Sequence, residues 1–277
     1  MNYRSIVSVV FLVALFTILP NNETFAQKRL LILSWNVESD DNTPATISKQ
    51  LEEFEGYDLI GLTEVKPDNA AAYADAAAEG EGAKNSSYVE FNSVISTSGR
   101  SDRMMLIWDN TRFEPIGEMQ ELNELNPDSD HRSPMFVKLK LRNSNTIFIF
   151  MVNHLARGNA DLRKMQAQGL QEWAQNEQLP IIAVGDYNFD YDIDDGQGNA
   201  AMSEMLQDDI WKWIRPDRLY KTQASPKFNS ILDFIFIANQ PNSWRVDSRI
   251  LTDERQLTDD NQRSDHRPVE CRILITD

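Results

Sequence analysis

Five short apolar runs, spread along the whole chain, each carry polar residues of catalytic type at or near their ends. This arrangement constrains the fold more than any other feature. The runs are Leu30–Asn36, ending Ser-Trp-Asn; Leu59–Glu64, ending Leu-Thr-Glu; Ile147–His154, ending Val-Asn-His; Ile181–Asn188, ending Gly-Asp-Tyr-Asn; and Ser264–Val269, reading Ser-Asp-His-Arg-Pro-Val. Apolar runs of this length are the signature of buried strands. A sheet aims the residues at its strand ends into a shared crevice, so the tracts point to one composite site. Of the three histidines, His131, His154 and His266, the last two lie in these tracts. The layout is that of an enzyme.

Between the tracts, the spacing predicts a mixed α/β chain. Thr46–Phe54 places Ile47, Leu51 and Phe54 at helical spacing with Gly56 behind it, giving a β-α-β start. The Ala-rich stretch Asn69–Ala78 is expected to be helical, and Glu79–Ser87, with two glycines, a loop. Strands are expected at Tyr88–Ile95, Met104–Trp108, Met135–Leu141 and Thr146–Asn153, with a hairpin turn at 142–145. Ala160–Gln178 carries Leu162, Leu170 and Trp173 on one helical stripe, and Ile181–Val184 is a strand. A short helix at Ala200–Leu206, a Trp-rich loop at Trp211–Tyr220, and strands at Ile231–Ala238 and Val269–Ile275 complete the reading. Helix–strand alternation followed by hairpins implies mixed sheets with helices outside.

Residues 1–26 read as a secretory signal peptide: Arg4, the apolar or small run Ile6–Leu19, then Thr24-Phe25-Ala26 with cleavage expected after Ala26. The rival is an uncleaved anchor, but the run is shorter than the roughly 20 apolar residues of a spanning helix. No cysteine follows it to carry a lipid, so no stable membrane anchor is expected after cleavage. Residues 27–277 are then one catalytic domain, periplasmic or secreted and expected to be monomeric. The lone Cys271 excludes an intrachain disulfide and reads as core filler. A formal net charge of -16 opposes long-range attraction to nucleic acid or anionic membranes. Bound metal can reverse that field locally, so a nucleic-acid substrate is not excluded.

The tract ends suggest a metal-assisted reaction. Glu64 and Asp186 each follow an apolar strand, where an unpaired carboxylate is costly. A hard divalent cation with oxygen ligands offsets that cost, and Asn36 and Asn188 can add a carbonyl ligand or an amide donor. The bland alternative makes each carboxylate a loop cap. His266 can accept a proton from water if a neighbour fixes its tautomer; Asp233, a charge inside the run Ile231–Ile235, is a suitable partner, leaving Asp265 to face the metal. His154 is a second acid–base candidate, with Asp102 as its possible orienting group. Arg132 can clamp a phosphate, whereas His131, Arg157 and Lys66 read as solvated. The acidic stretch from Asp190 to Gly196 fails the EF-hand template, so structural Ca²⁺ is not favoured over a solvated loop. Trp211-Lys212-Trp213 could stack on a base or sugar, though packing under a loop is the commoner use.

Taken in this order, the tracts resemble the endonuclease/exonuclease/phosphatase superfamily, from Leu30 to about Ile275. The resemblance is to the pancreatic deoxyribonuclease-like and exonuclease III-like members, here as a secreted, bacterial-type protein, although the signal peptide argues against an intracellular repair role. The resemblance implies a four-layer α/β sandwich, two packed mixed β-sheets flanked by helices, and Mg²⁺- or Mn²⁺-dependent hydrolysis of a phosphoester. It assigns metal binding to Asn36, Glu64 and Asp265, and the general base to His266 with Asp233 orienting it. Asp186 and Asn188 position nucleophile and phosphate, Arg132 touches substrate phosphate, and His154 is the second histidine with Asp102 beside it. The 5-phosphatase branch is disfavoured because its Trp-Cys-Asp-Arg signature is replaced by Asn229-Ser230-Ile231-Leu232-Asp233. No exposed hydrophobic hairpin of the sphingomyelinase kind is visible. The expected reaction is in-line attack of water on a phosphodiester, with DNA and RNA among the candidate substrates. A phosphomonoesterase or lipid phosphodiesterase on the same scaffold is the alternative, and a non-catalytic binding module the third reading.

Overall fold

The computed structural model describes residues 28–40, 42–85, 90–127, 131–252, 260 and 262–275; the signal-peptide reading of residues 1–26 lies outside them. In chain order the first half holds β1 (Lys28–Asn36), α1 (Pro44–Glu53), β2 (Leu59–Val65), α2 (Ala70–Asn85), β3 (Phe91–Ile95), β4 (Arg103–Asp109), β5 (Phe113–Pro115) and β6 (Gln120–Glu121). The second half holds β7 (Met135–Leu141), β8 (Ile147–His154), α3 (Ala160–Asn176), β9 (Ile181–Asp192), α4 (Ala200–Met205), β10 (Trp211–Trp213), β11 (Ser230–Ala238), β12 (Trp244–Ile250) and β13 (Val269–Ile275).

Two mixed sheets form from these strands, in the orders β12-β13-β1-β2-β4-β3 and β10-β11-β9-β8-β7-β5, with β6 also on β7. Each has one parallel pair at its centre, β1–β2 or β8–β9, and antiparallel pairs elsewhere. Parallel pairing brings two carboxyl ends side by side, so Asn36 lies opposite Thr63 and His154 opposite Asp186. The sheets face each other across Leu30, Ile32, Leu106, Phe148, Phe150, Val184, Phe234 and Cys271, all fully buried. Burying a large side chain of this kind contributes about 1.5–3 kcal/mol relative to exposure.

Outside the first sheet, Ile47 and Leu51 of α1 and Tyr73 of α2 pack on Leu33, Trp35, Leu62 and Ile107. Both faces of β1 are therefore covered, which is why it reads as an unbroken apolar run. Outside the second sheet, α3 is capped by Asn159, which accepts from Leu162 N–H at 3.0 Å, and its Trp173 packs on Phe136 of β7. The four-layer sandwich expected from the resemblance is the fold observed.

Three expectations are corrected. The helix expected to end at Ala78 runs to Asn85, because Gly80 does not break it. A Cβ at Gly80 would press on the backbone of Leu51 and Glu52, so this glycine permits close approach of α1 and α2. The strand read as Ile181–Val184 continues to Asp192, with Tyr187, Phe189 and Tyr191 alternating into the core beyond the Gly-Asp that looked like a terminator. The Trp-rich segment opens with a strand, β10, rather than a loop. Trp211 is buried and donates to the Leu170 carbonyl at 3.2 Å, and Trp213 packs on Tyr191 and Phe234. These rings are structural.

Candidate active site

At the carboxyl ends of the two parallel pairs, the polar tract ends converge. Gly185 permits the approach: its φ is 136°, and a Cβ there would collide with the Asn153 carbonyl oxygen across the β8–β9 ladder. Asp186 follows it, 2% exposed, opposite His154 on one side and Asp233 on the other. Glu64 lies where the β2–β4 register shifts, at φ 59°. Asn36 ties the two sheets together, its amide nitrogen donating to Glu64 Oε1 at 3.0 Å and to Asp186 Oδ2 at 3.1 Å. Its carbonyl oxygen accepts from the Glu38 N–H at 2.9 Å.

His266 enters from the last tract. Its Nδ1 meets Asp233 Oδ2 at 2.7 Å, which leaves Nε2 4.0 Å from Asp186 Oδ2 and 3.7 Å from Asp265 Oδ1. The ring is fixed from behind: Ser264 Oγ accepts from the His266 N–H at 3.0 Å and donates to the Asn36 carbonyl at 2.6 Å, while Trp35 Nε1 donates to the His266 carbonyl at 3.0 Å. Thr222 Oγ1 accepts from the N–H groups of Leu232 and Asp233 at 2.8 and 3.2 Å and steadies the carboxylate's strand. His154 approaches the same centre, its Nε2 3.6 Å from Asp186 Oδ2 and 3.8 Å from Glu64 Oε1.

The electrostatics separate the two imidazoles. Burial pushes His266 down, but Asp233, Asp186 and Asp265 outweigh it and raise its pKa to about 10. His154 is held well below the ordinary range, first by burial and then by the nearby Arg132. Burial, then Asp233 and Glu64, push Asp186 up to about 7 against the pull of His266 and the Asn188 N–H. The protein alone thus favours the neutral form of His154 and the charged form of His266, and shifts Asp186 toward its protonated form.

Other expected site residues fall around this centre. Asn188, at φ 51°, donates its N–H to Asp186 Oδ1 at 2.9 Å and its amide to the Leu155 carbonyl at 3.1 Å. Asp265 stands beside His266, and its Oδ2 accepts from Gln223 Nε2 at 3.4 Å. Asp102 does not orient His154: it forms an ion pair with Arg132, and its carbonyl accepts from Arg132 Nε at 3.2 Å. The guanidinium takes the short Asp side chain, and His154 Nδ1 has no partner among the described residues. Arg132 feels Glu64 and Asp186, which act against the lowering of its pKa by burial, so it belongs to the field of the site. In the acidic stretch, Asp192 Oδ1 caps a turn by accepting from the N–H groups of Asp194 and Asp195. Ser264 was legible within its tract, whereas Thr222 and Gln223 carried no sequence signal because they reach the site from an irregular loop.

The family model for the endonuclease/exonuclease/phosphatase family matches residues 33–266, most of the chain, leaving out the start of β1 and the last strand of the fold. The chain belongs to that family. Among curated protein sequences none matches. The solved structures agree on the family's fold. An endonuclease/exonuclease/phosphatase family protein from Bacteroides thetaiotaomicron is 15% identical, with a TM-score of 0.65 over 90% of this chain and 98% of that one. A mannosyl-6-phosphatase from Bacteroides thetaiotaomicron is 15% identical, with a TM-score of 0.63 over 88% and 99%. TDP2 of D. rerio, complexed with a single-strand DNA product, is 17% identical, with a TM-score of 0.63 over 88% and 98%.

Family members are typically hydrolases that use divalent metal, and the donor set here fits such an ion. Ligand atoms of Glu64, His154 and Asp186 lie within 4.8 Å of one another, as do those of Asp186, Asp233 and His266. In the second group the Asp233–His266 hydrogen bond occupies two members. The first leaves two carboxylates converging with only a shared amide donor between them, and these oxygens suit a hard cation. Asp265 belongs to neither group.

Proposed function

We propose that this protein is a secreted, metal-dependent phosphoester hydrolase that directs water in line onto phosphorus. The observation that carries the reading is the 2.7 Å Asp233–His266 hydrogen bond, which aims Nε2 toward Asp186 beside the paired carboxylates. Glu64 and Asp186 would hold the cation, with Mg²⁺ or Mn²⁺ matching their oxygens. When bound, it would neutralise charge on the phosphate oxygens and offset the negative potential that keeps the proton on His266.

The protein's own groups do the rest. A water within reach of both His266 Nε2 and Asp186 Oδ2 is oriented by the carboxylate and gives its proton to the imidazole. Asp233 keeps the Nδ1 proton and stabilises the imidazolium that forms. Arg132 binds a non-bridging oxygen, and the fixed Asn188 amide lines the same position. His154, neutral and with Nε2 facing the centre, hydrogen-bonds the leaving oxygen, which takes its proton from solvent. A binding module would need no such base, which sets that third reading aside.

A phosphodiester of DNA or RNA is the first substrate to test, since one structural relative is seen with a DNA product. A net charge of -16 favours a second reading, a small phosphoester that needs no long-range attraction to a polyanion. The deciding experiment is hydrolysis of supercoiled plasmid and of simple phosphate mono- and diesters, with Mg²⁺, with Mn²⁺ and with EDTA. Metal-dependent turnover of any ester that EDTA abolishes supports the hydrolase. A folded protein that turns over none would refute it.

A further inference from the structure

Next to Asn188 the surface drops into a pocket of about 230 Å³. Leu232 and Ser230 of β11 line it together with Asp190 of β9; Arg157 completes it from the β8–α3 loop, and Gln223 and Phe228 from the β10–β11 loop. Since Asn188 borders both pocket and centre, a group seated here carries its phosphate toward Asp186 and His266.

Its chemistry is mixed in a specific way. The Phe228 ring is half exposed at 50%, a free face large enough for one ring. The guanidinium of the exposed Arg157, a donor only, makes no hydrogen bond or ion pair among the described residues. Asp190, an acceptor only, takes a hydrogen bond from Asn199 at 3.1 Å and lies 3.8 Å from the Arg163 guanidinium, yet its side chain is 56% exposed. Gln223 is 4% exposed, and its Oε1 is enclosed with no partner although it borders the pocket.

A second phosphate would suit Arg157 and be repelled by Asp190. An apolar substituent would leave donor and acceptors alike unpaired. Hydroxyl groups both donate and accept, and so satisfy all of them. The volume falls below the roughly 300–1,000 Å³ of drug-sized sites, which limits the occupant to a single ring.

We infer that this pocket seats a hydroxylated ring, a sugar or cyclitol, that bears the phosphoester, with Phe228 under its C–H face and Arg157 on its hydroxyls. This rests on the hydrolase reading and names its substrate class. The seated ring also explains why selectivity would survive in so acidic a protein: recognition is by short-range contacts.

The test compares glucose 6-phosphate, myo-inositol 1-phosphate, thymidine 5′-phosphate and ring-free butyl phosphate by phosphate release, in wild type, Arg157→Ala and Phe228→Ala. Each variant is expected to lose about tenfold or more in kcat/KM on the hydroxylated rings, through KM, and little on butyl phosphate. Equal losses on every ester, or none, would overturn the seat. Preference for the nucleotide, lost in Phe228→Ala alone, would make it a base pocket and overturn the assignment too. If no ester is hydrolysed, calorimetric titration of glucose 6-phosphate with Mn²⁺ separates the two ideas. Saturable binding weakened in both variants would keep the pocket and refute monoester hydrolysis at it, and no binding would refute the pocket.

Discussion

His266 and His154 approach Asp186 from different sheets, both nearly buried, and the protein treats them oppositely. His266 has a carboxylate on Nδ1 at 2.7 Å, whereas His154 has nothing there among the described residues. The partner on the far nitrogen decides the chemistry of the near one. Asp233 makes His266 a strong proton acceptor once the local field is relieved. Burial without a partner makes His154 a weak base that stays neutral. Equal depth therefore does not mean equal role.

The sharpest way to break this comparison is to remove each imidazole. His266→Asn is expected to lower kcat by about 10²–10⁴-fold, the usual range for a general base, and Asp233→Asn to approach it. A loss under tenfold for His266→Asn, in a protein with unchanged circular dichroism, would end its assignment as the base. His154→Gln is expected to lose less, about 10–100-fold, because solvent can also protonate a leaving oxygen. If His154→Gln proves the more damaging, the roles of the two rings are exchanged.

Proton NMR of the EDTA-treated protein sharpens the contrast without catalysis. His266 should stay protonated through neutrality and release its proton near pH 10, while His154 should resist protonation well below its ordinary 6.5. The signs for stability follow. Charge on His266 stabilises the fold fully below pH 6.5 and is lost as pH rises through about 10. Neutral His154 stabilises it above 6.5, and that contribution is lost as pH falls through its depressed value. The smallest effect is expected from Asp102→Ala. With its Arg132 pairing lost, KM should rise about threefold to tenfold and kcat should hold. A kcat whose acidic or basic limb moves would instead place Asp102 in service of His154.

The strand ends were legible because each tract keeps its chemistry next to its own apolar run, as Asn36 does on β1 and His154 on β8. The four layers were likewise legible, because strands covered on both faces leave unbroken apolar runs. The partner of Arg132 was not. It depends on how two loops fold over the sheet edge, and no periodicity records that. The length of β9 was hidden for a different reason: Gly185, Asp186 and Asn188 have turn-forming composition, and only tertiary pairing with β8 and β11 keeps this stretch in the sheet. The short edge strands β5, β6 and β10 hold two or three residues each, too few for any pattern to register.

Glu64 and Asn188 both carry side chains on left-handed backbone, at φ 59° and 51°. Such residues typically cost about 1–3 kcal/mol each and persist only where the surroundings over-determine them. The molecule is therefore less stable than its scaffold permits, at the very positions its chemistry requires. A relative with no use for the proposed hydrolysis would be free to replace both with glycine and drift toward a hardier, silent fold. Retention of a side chain at 64 and 188 is accordingly a marker of continued use, readable in any relative without an assay.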